Sequence, residues 1–420
     1  MKKIFLLLIS LIVSGCASFG EGVTTAFLNK QKEEDLRECR VDGKSFGGMQ
    51  GSFDQSANSS KIIKALMVHG VGTHIPGYST QFQEKLAAEL GLKAMSSHYK
   101  EIQLINNEYP DQDLGTLRIR RLIDEDMSKE IVFYELTWSS ITNPEKEKLK
   151  YDTSGAYSFR RAEVNQMLKV FSNDTSPDPM IYLGKHSQDI ILASFRTAFC
   201  WMAGRDWHSL PNESKEFCSI DQQHVDQLPN DEYAIISHSL GSRIVIDGMK
   251  SIASRLGKSS HSIPTPLEAR FIDNFQQKEI PFYLMSNQLP LLEMGAERPE
   301  VVMQTDEYCF PGGDHYQDRL VKQTSIIAFS DPNDLLSYAI PQQFGEHRLD
   351  SRLCAEITNI NINVAHVIDL FGMGKFANPL TAHTGYDSDD RVVALIANGI
   401  GTQNTSDIVI DRCEWTQYID

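Results

Sequence analysis

The clearest indication of the fold is the stretch Tyr233-Ala234-Ile235-Ile236-Ser237-His238-Ser239-Leu240-Gly241. Its apolar, β-branched beginning predicts a strand, and the residues that follow it, 242–256, have the apolar spacing of a helix. A strand, a tight turn and a helix in this order can present a serine hydroxyl above the edge of a sheet. Ser237 and Gly241 are small residues on either side of Ser239, so the turn can close without a side-chain clash. The sequence therefore predicts that Ser239 is a nucleophile.

Apolar strands alternate with amphipathic segments on both sides of this stretch. We predict strands at 62–68, 131–138, 233–236, 281–285, 325–329 and 357–363, and helices at 81–92, 242–256 and 389–397. This alternation is typical of an α/β fold with a mostly parallel central sheet flanked by helices. The interval from about 143 to 229 is much longer than one crossover helix, and it predicts a helical insertion at the top edge of the sheet.

A glycine-rich turn follows the first predicted strand, in Leu66-Met67-Val68-His69-Gly70-Val71-Gly72-Thr73. Gly70 and Gly72 would let the backbone N–H groups near Val71 approach a substrate closely. The N–H of Leu240, directly after Ser239, would supply a second donor, and two such donors can bind an oxyanion. A plain strand-to-helix turn is the alternative interpretation.

Neither a phosphate site nor a metal site is favoured at this turn. No Gly-Lys-Ser or Gly-Lys-Thr sequence follows the glycines, as a phosphate-binding loop requires. His69 and His74 are close in the chain, but no carboxylate or cysteine stands at ligand spacing from them. We therefore predict no metal and no cofactor.

Together these segments resemble the α/β-hydrolase-fold serine hydrolases of the esterase and lipase type. In the turn around Ser239, Ser237 replaces the first glycine of the G-x-S-x-G pattern, and His69-Gly70 resembles the His-Gly oxyanion loop of the family. The resemblance spans about residues 61–400 and rests on short motifs. It implies an α/β-hydrolase fold with a helical insertion that can serve as a lid, and a Ser, Asp, His triad in that chain order. The oxyanion and substrate-binding residues that it implies are His69, Gly70, Val71 and Leu240.

The resemblance places the acid of the triad a few residues past a strand, shortly before an apolar residue. The segment from Ile326 to Leu336 contains two aspartates past such a strand. Asp334, which Leu335 follows, fits this position, and Asp331 is the alternative. Either aspartate would also suit an ordinary turn.

The base of the triad is expected in the loop between the last strand and the last helix. His383, in Ala382-His383-Thr384-Gly385-Tyr386, lies in that loop. His366 is nearer the end of the strand and is the alternative. His238 lies inside the turn of Ser239, and we interpret it as a structural residue whose side chain points away from the nucleophile.

The implied chemistry is acyl transfer to water, in which Ser239 attacks an ester-like carbonyl, His383 moves the proton and Asp334 orients the imidazole. We expect a carboxyl ester or a lipid as the substrate. Two alternatives stay open, a catalytically silent binding protein of the same fold and an acyltransferase with the same triad. The segment 189–203 has apolar residues at helical spacing, which suits either a lid helix facing lipid or packed core.

The N-terminus has the features of an export signal. Met1-Lys2-Lys3 precedes the short apolar run 4–13, and Val13-Ser14-Gly15-Cys16 resembles the lipobox of bacterial lipoproteins. In that family the cysteine is lipidated and becomes the N-terminus. Cys16 would therefore anchor the protein to a membrane of the bacterial cell envelope, and Ala17 favours the outer membrane.

Composition and cysteine content give further predictions about domain boundaries, partners and disulfides. We predict a signal peptide at 1–15, a tether at 16–60, one domain at 61–405 and a C-terminal tail at 406–420. The net charge of −16 disfavours nucleic acid as a partner. Export makes disulfides possible among the six cysteines after Cys16, with free buried thiols as the alternative and a pairing that the sequence does not reveal.

Overall fold

The structure is a computed structural model that describes residues 37–55, 61–153, 162–219, 221–257, 265–294, 296–369 and 375–416. Its strands are β1 (Cys39–Asp42), β2 (Lys61–Val68), β3 (Lys93–Gln103), β4 (Thr116–Ile123), β5 (Lys129–Thr137), β6 (Glu213–Ser214), β7 (Glu232–His238), β8 (Glu279–Met285), β9 (Gln323–Ser330), β10 (Ala355–Ile362), β11 (Val367–Asp369), β12 (Lys375–Ala377) and β13 (Glu414–Thr416). Its α-helices are α1 (Gly48–Gln55), α2 (Thr80–Glu89), α3 (Asn143–Glu147), α4 (Glu163–Thr175), α5 (Pro177–Tyr182), α6 (Lys185–Gly204), α7 (Gln222–Gln227), α8 (Leu240–Gly257), α9 (Pro266–Phe275), α10 (Leu289–Leu292), α11 (Thr305–Cys309), α12 (Phe344–Arg348), α13 (Pro379–Thr384), α14 (Asp390–Asn398) and α15 (Asp407–Arg412).

One large mixed sheet organises the chain, in the order β13-β1-β10-β9-β8-β7-β2-β5-β4-β3-β6. The central strands β10, β9, β8, β7, β2 and β5 are all parallel to one another, and they correspond to the six predicted strands. The prediction of an α/β fold with a mostly parallel sheet flanked by helices is therefore confirmed. Outside this region, β4 pairs antiparallel with both β5 and β3. Strands β3 and β4 were not predicted, because charged residues interrupt the apolar pattern of each.

Helices cover both faces of the sheet because the side chains of its buried strands alternate between two cores. In β2, Leu66 and Val68 pack into the core under α6 and α8. Ala65 and Met67 point the other way, into the core formed with α1, α2 and α14. The predicted helices at 81–92, 242–256 and 389–397 correspond to α2, α8 and α14.

The connections reverse direction between β2 and β7. From β2 the chain passes through α2 and builds the β3, β4 and β5 side of the sheet, and it returns to β7 on the opposite side of β2. In open α/β sheets such a switch point leaves a crevice outside the carboxyl ends of the strands, where ligands bind. The segments after β2 and β7 are those that carry Gly70 and Ser239.

The predicted tether and tail are wrong where they reach into the described residues. β1, within the supposed tether 16–60, pairs antiparallel with β10, and α1 packs Met49 and Phe53 into the core. At the other end, β13 lies in the supposed tail 406–420 and pairs parallel with β1. A few buried side chains and an edge-strand pairing hold these ends, and neither leaves a strong periodic pattern in the sequence. The signal peptide 1–15 and Cys16 lie outside the described residues.

The insertion at 143–229 contains several helices, as predicted, but 189–203 is not a lid. These residues lie in α6, where Ile191, Phe195, Phe199 and Met202 are buried in the core. A Cβ atom on Gly248 of α8 would lie only 2.2 Å from the Phe195 ring, so the two helices are in close contact. Packed core, the alternative interpretation, is therefore correct for this segment.

All six cysteines after Cys16 are paired, as Cys39–Cys413, Cys200–Cys218 and Cys309–Cys354. The first bridge joins β1 to the residue that follows α15, so it fastens the two ends of the described chain to each other. No helix among the described residues is long and apolar enough to cross a membrane.

Candidate active site

The turn after β7 holds Ser239 in a conformation that few residues adopt. Its φ of 55° lies in the left-handed region, and its N–H donates to Met285 O across 2.9 Å. A Cβ atom on Gly241 would lie 2.4 Å from Val68 O of the neighbouring strand, so only glycine fits there. Ser237 is fully buried on the other side of the turn. The close approach of the neighbouring backbone thus requires glycine at 241, and burial favours a small residue at 237.

Three side chains predicted from separate segments come together at this turn. His383 Nε2 lies 3.1 Å from Ser239 Oγ, and His383 Nδ1 lies 3.0 Å from each carboxylate oxygen of Asp334. Burial opposes ionisation of Asp334, but hydrogen bonds and the proximity of His383 outweigh it and lower the pKa of the carboxyl group. An ionised acid, an imidazole and a hydroxyl are therefore connected in a line.

The two candidate aspartates have different partners. Asp334 accepts the Leu336 N–H at 3.0 Å and faces His383. Asp331 instead accepts the backbone N–H groups of Val364 and Ala365, at 2.8 and 3.1 Å, and so ties the end of β9 to the segment after β10. Asp334 contacts the imidazole, and Asp331 holds the backbone beside it.

The predicted base lies in the short helix α13, near the end of the segment between β10 and α14. Asn378 caps this helix through bonds to two backbone N–H groups. His366, the alternative, is exposed at the start of the segment, whereas His383 faces Ser239.

His238 was predicted to point away from the nucleophile, but its ring lies only 5.2 Å from the His383 ring. Burial lowers the pKa of His238 to about 3, so its ring is neutral at ordinary pH. Its Nε2 lies 2.7 Å from His383 O, the geometry of an N–H donating to that carbonyl. His238 therefore connects the turn of Ser239 to the helix that carries the base.

Ser286, which follows β8, belongs to the same cluster and was missed from the sequence. Its hydroxyl lies 2.8 Å from Asp334 Oδ2 and 3.0 Å from His383 Nδ1. Only its position in the sequence could have indicated it, because Ser286 directly follows the predicted strand that comes after the strand of Ser239. A serine in that position is too common to be singled out without the fold.

Gly70 brings the predicted oxyanion loop against Ser239. A Cβ atom on Gly70 would lie 2.6 Å from the Ser239 Cβ and 3.1 Å from its Oγ, so a side chain there would collide with Ser239. Leu240 is the first residue of α8, and the N–H groups of a first helical turn have no carbonyl partner within the helix. The two predicted oxyanion donors, Val71 and Leu240, thus follow directly after Gly70, which contacts Ser239, and after Ser239 itself.

His69 orients the peptide that carries the Val71 N–H. His69 Nε2 accepts the Trp138 N–H at 3.1 Å, so the ring proton is on Nδ1, which lies 2.8 Å from Gly70 O and donates to it. Burial lowers the pKa of His69 well below its ordinary value, which keeps this neutral tautomer. Because the C=O and N–H of a trans peptide point in opposite directions, holding Gly70 O fixes the direction of the Val71 N–H.

Two acids of the insertion clamp the next residues of the loop. The Gly72 N–H donates to Asp178 Oδ2 at 2.7 Å, and Thr73 donates through its N–H and its hydroxyl to Asp174. Lys146 binds Asp178 at 2.8 Å and is almost fully buried. This clamp was missed, because contacts between residues about 100 positions apart leave no local pattern.

Within the described residues, no group of three or more His, Cys, Asp or Glu side chains is arranged to hold a metal ion. Searches against protein-family models, curated proteins and solved structures find no match to this chain.

Proposed function

We propose that this protein is a serine hydrolase of the α/β-hydrolase fold that cleaves an ester-type bond in a carboxyl ester or lipid. The observation that carries the proposal is the continuous contact from Asp334 through His383 to Ser239 Oγ, at a strained turn directly after β7. The central strand order and the Ser, Asp, His order along the chain support the same fold.

The reaction follows from the positions of the protons. His383 Nδ1–H donates to Asp334, so Nε2 has a free lone pair and takes the Ser239 proton as Oγ attacks the carbonyl carbon. The oxyanion accepts the N–H groups of Val71 and Leu240, each worth about 3–4 kcal/mol. Nε2 then gives its proton to the departing alcohol. Water attacks the acyl-enzyme and loses a proton to Nε2, and Nε2 then gives that proton to Ser239 Oγ as the bond between Oγ and the acyl carbon breaks and the acid leaves.

An ester or lipid substrate is supported by apolar side chains next to the catalytic residues in the chain. Leu335 and Leu336 follow Asp334, and Ile75 follows the clamped loop, and all three are exposed. We also propose that Cys16 is lipidated and anchors the protein to the bacterial envelope, with the outer membrane as its location. Palmitate incorporation that persists in Cys16→Ser would contradict this anchor.

A fluorophosphonate probe tests the catalytic proposal, because an ordinary serine hydroxyl barely reacts with it at neutral pH. We expect the wild type and Ser330→Ala to be labelled, since the Ser330 hydroxyl bonds Asn361 and lies outside the cluster. Ser239→Ala and His383→Ala should lose the label while remaining folded by circular dichroism.

Each result separates one interpretation from another. Labelling that survives in Ser239→Ala would place the nucleophile elsewhere, and a folded but unlabelled wild type would favour a silent binding protein. Turnover of p-nitrophenyl acetate with and without an added alcohol then distinguishes a hydrolase from an acyltransferase, which would form more ester than acid.

A further inference from the structure

Ser286 has a backbone conformation that its residue type disfavours. Its φ is 49°, in the left-handed region where an L side chain is strained, and its side chain is fully buried. Ser239, at the end of the neighbouring parallel strand, has a φ of 55°. Strained backbone of this kind persists where the surrounding structure requires it, and it concentrates at functional sites.

The strain directs the Ser286 hydroxyl between the acid and the base. Its Oγ lies 2.8 Å from Asp334 Oδ2 and 3.0 Å from His383 Nδ1. The hydroxyl has one proton, and an ionised carboxylate can only accept, so Ser286 donates to Asp334. Its oxygen then accepts from His383 Nδ1–H, which it shares with the carboxylate. This arrangement requires the tautomer with a free lone pair on Nε2.

The residues beside Ser286 are bonded to the other two catalytic segments. Met285 O accepts the Ser239 N–H at 2.9 Å. The Asn287 amide group donates to Tyr338 O at 2.7 Å, and the Tyr338 N–H donates back to Asn287 O at 2.8 Å. The three residues at the end of β8 therefore contact the turn of the nucleophile, the loop of the acid and, through the Ser286 hydroxyl, the base.

We propose that Ser286 is a positioning residue, whose hydroxyl holds Asp334 and the Nδ1–H tautomer of His383 in register with Ser239. This inference rests on the proposed serine hydrolase function. Ser286 does not touch the reacting carbonyl in this mechanism, and it acts only through the acid and the base.

Two substitutions separate the hydroxyl from the backbone strain. Ser286→Ala and Ser286→Gly both remove the hydroxyl, but only glycine adopts a φ of 49° without strain. Ser330→Ala is the matched control, because Ser330 is also a buried serine at the end of a central strand and its hydroxyl points to Asn361.

We expect both Ser286 variants to react with the fluorophosphonate probe about 10- to 100-fold more slowly, the usual effect of losing a hydrogen bond to a charged group. The number of sites labelled at completion should not change. The acid limb of the rate profile should move in both variants, because the hydroxyl bonds both the carboxylate and the Nδ1–H of the imidazole that it stabilises. Ser330→Ala should keep the wild-type rate and profile.

A second readout does not depend on reactivity. The downfield proton resonance of His383 Nδ1–H, identified by its loss in His383→Ala, should move in both Ser286 variants and stay in place in Ser330→Ala. A merely structural serine would leave it unchanged.

The outcomes keep the two proposals apart. An unlabelled wild type would contradict the proposed function, and the resonance would still test Ser286. Labelled variants with wild-type rates, an unmoved acid limb and an unmoved resonance would overturn the role of Ser286 alone. A slow Ser286→Ala beside a fully reactive Ser286→Gly would also overturn it, since strain would then explain the loss.

Discussion

The proton-transfer side and the oxyanion side of the candidate site are held in different ways. Ser239 and Asp334 follow the ends of β7 and β9, His383 lies in α13, and contacts among these three residues hold them. The Val71 N–H lies on a loop whose direction depends on a buried histidine and on acids of the insertion about 100 residues away. A candidate catalytic side chain can therefore be found from its residue type, whereas the direction of a candidate oxyanion N–H depends on the residues that pack around its peptide.

The electrostatics of the two sides differ as well. On the proton-transfer side, the lowered pKa of Asp334 maintains a negative charge next to His383. On the oxyanion side, burial keeps His69 and His74 neutral, because it lowers the pKa of both rings. In the proposed reaction, the negative charge on the first side would stabilise an imidazolium, and the fixed neutral tautomer on the second side would orient the Val71 N–H.

The largest expected effect separates the two aspartates of the proton-transfer side. Asp334→Asn should lower turnover of p-nitrophenyl acetate by about 10⁴, because an amide cannot hold the Nδ1–H tautomer. Asp331→Asn should keep most activity per folded molecule and instead lower the free energy of unfolding in urea by about 1–3 kcal/mol, since it weakens acceptors for buried N–H groups. An inactive Asp331→Asn beside an active Asp334→Asn would exchange these roles.

An intermediate effect is expected on the oxyanion side from Gly70→Ala. The new Cβ would lie 2.6 Å from the Ser239 Cβ and must push the loop away, which displaces the Val71 N–H. We expect kcat to fall by about 10²–10³, the scale of losing one oxyanion donor, with circular dichroism unchanged.

Gly51→Ala is the matched control for that loss, because a Cβ at Gly51 in α1 has open space and should leave kcat unchanged. If Gly70→Ala were as active as Gly51→Ala, the segment 69–73 could not be the oxyanion loop.

The last prediction concerns the dependence of stability on pH. The pKa of His238 is about 3 in the folded protein and 6.5 ordinarily, so between these values only the unfolded chain binds the proton. The free energy of unfolding should therefore fall as pH drops from 6.5 toward 3, by at most about 1.4 kcal/mol per pH unit for this group. His238→Gln should reduce the slope and leave the part due to His69 and His74, as urea unfolding at several pH values would show. An equal slope in both proteins would mean that His238 is not held neutral.

Much of the fold was predictable because buried strands and amphipathic helices have simple periods. The six central strands and the helices after β2 and β7 follow directly from those periods. Strands β3 and β4 did not, because charged residues interrupt the apolar pattern of each, and β1 and β13 did not, because strands of three or four residues are too short to show a period. The apolar stripe in α6 fitted both a lid and a core, and only its contact with α8 distinguished them.

Residue type and order in the sequence are enough to identify the candidate catalytic side chains. Ser239 has small neighbours in a turn between a strand and a helix, and Asp334 and His383, with the alternatives Asp331 and His366, follow later strands. The position of Ser286, the tautomer of His69 and the clamp on Gly72 follow from the tertiary structure alone. These depend on hydrogen bonds whose donors and acceptors are far apart in the chain, and their geometry exists only once the sheet has brought the loops together.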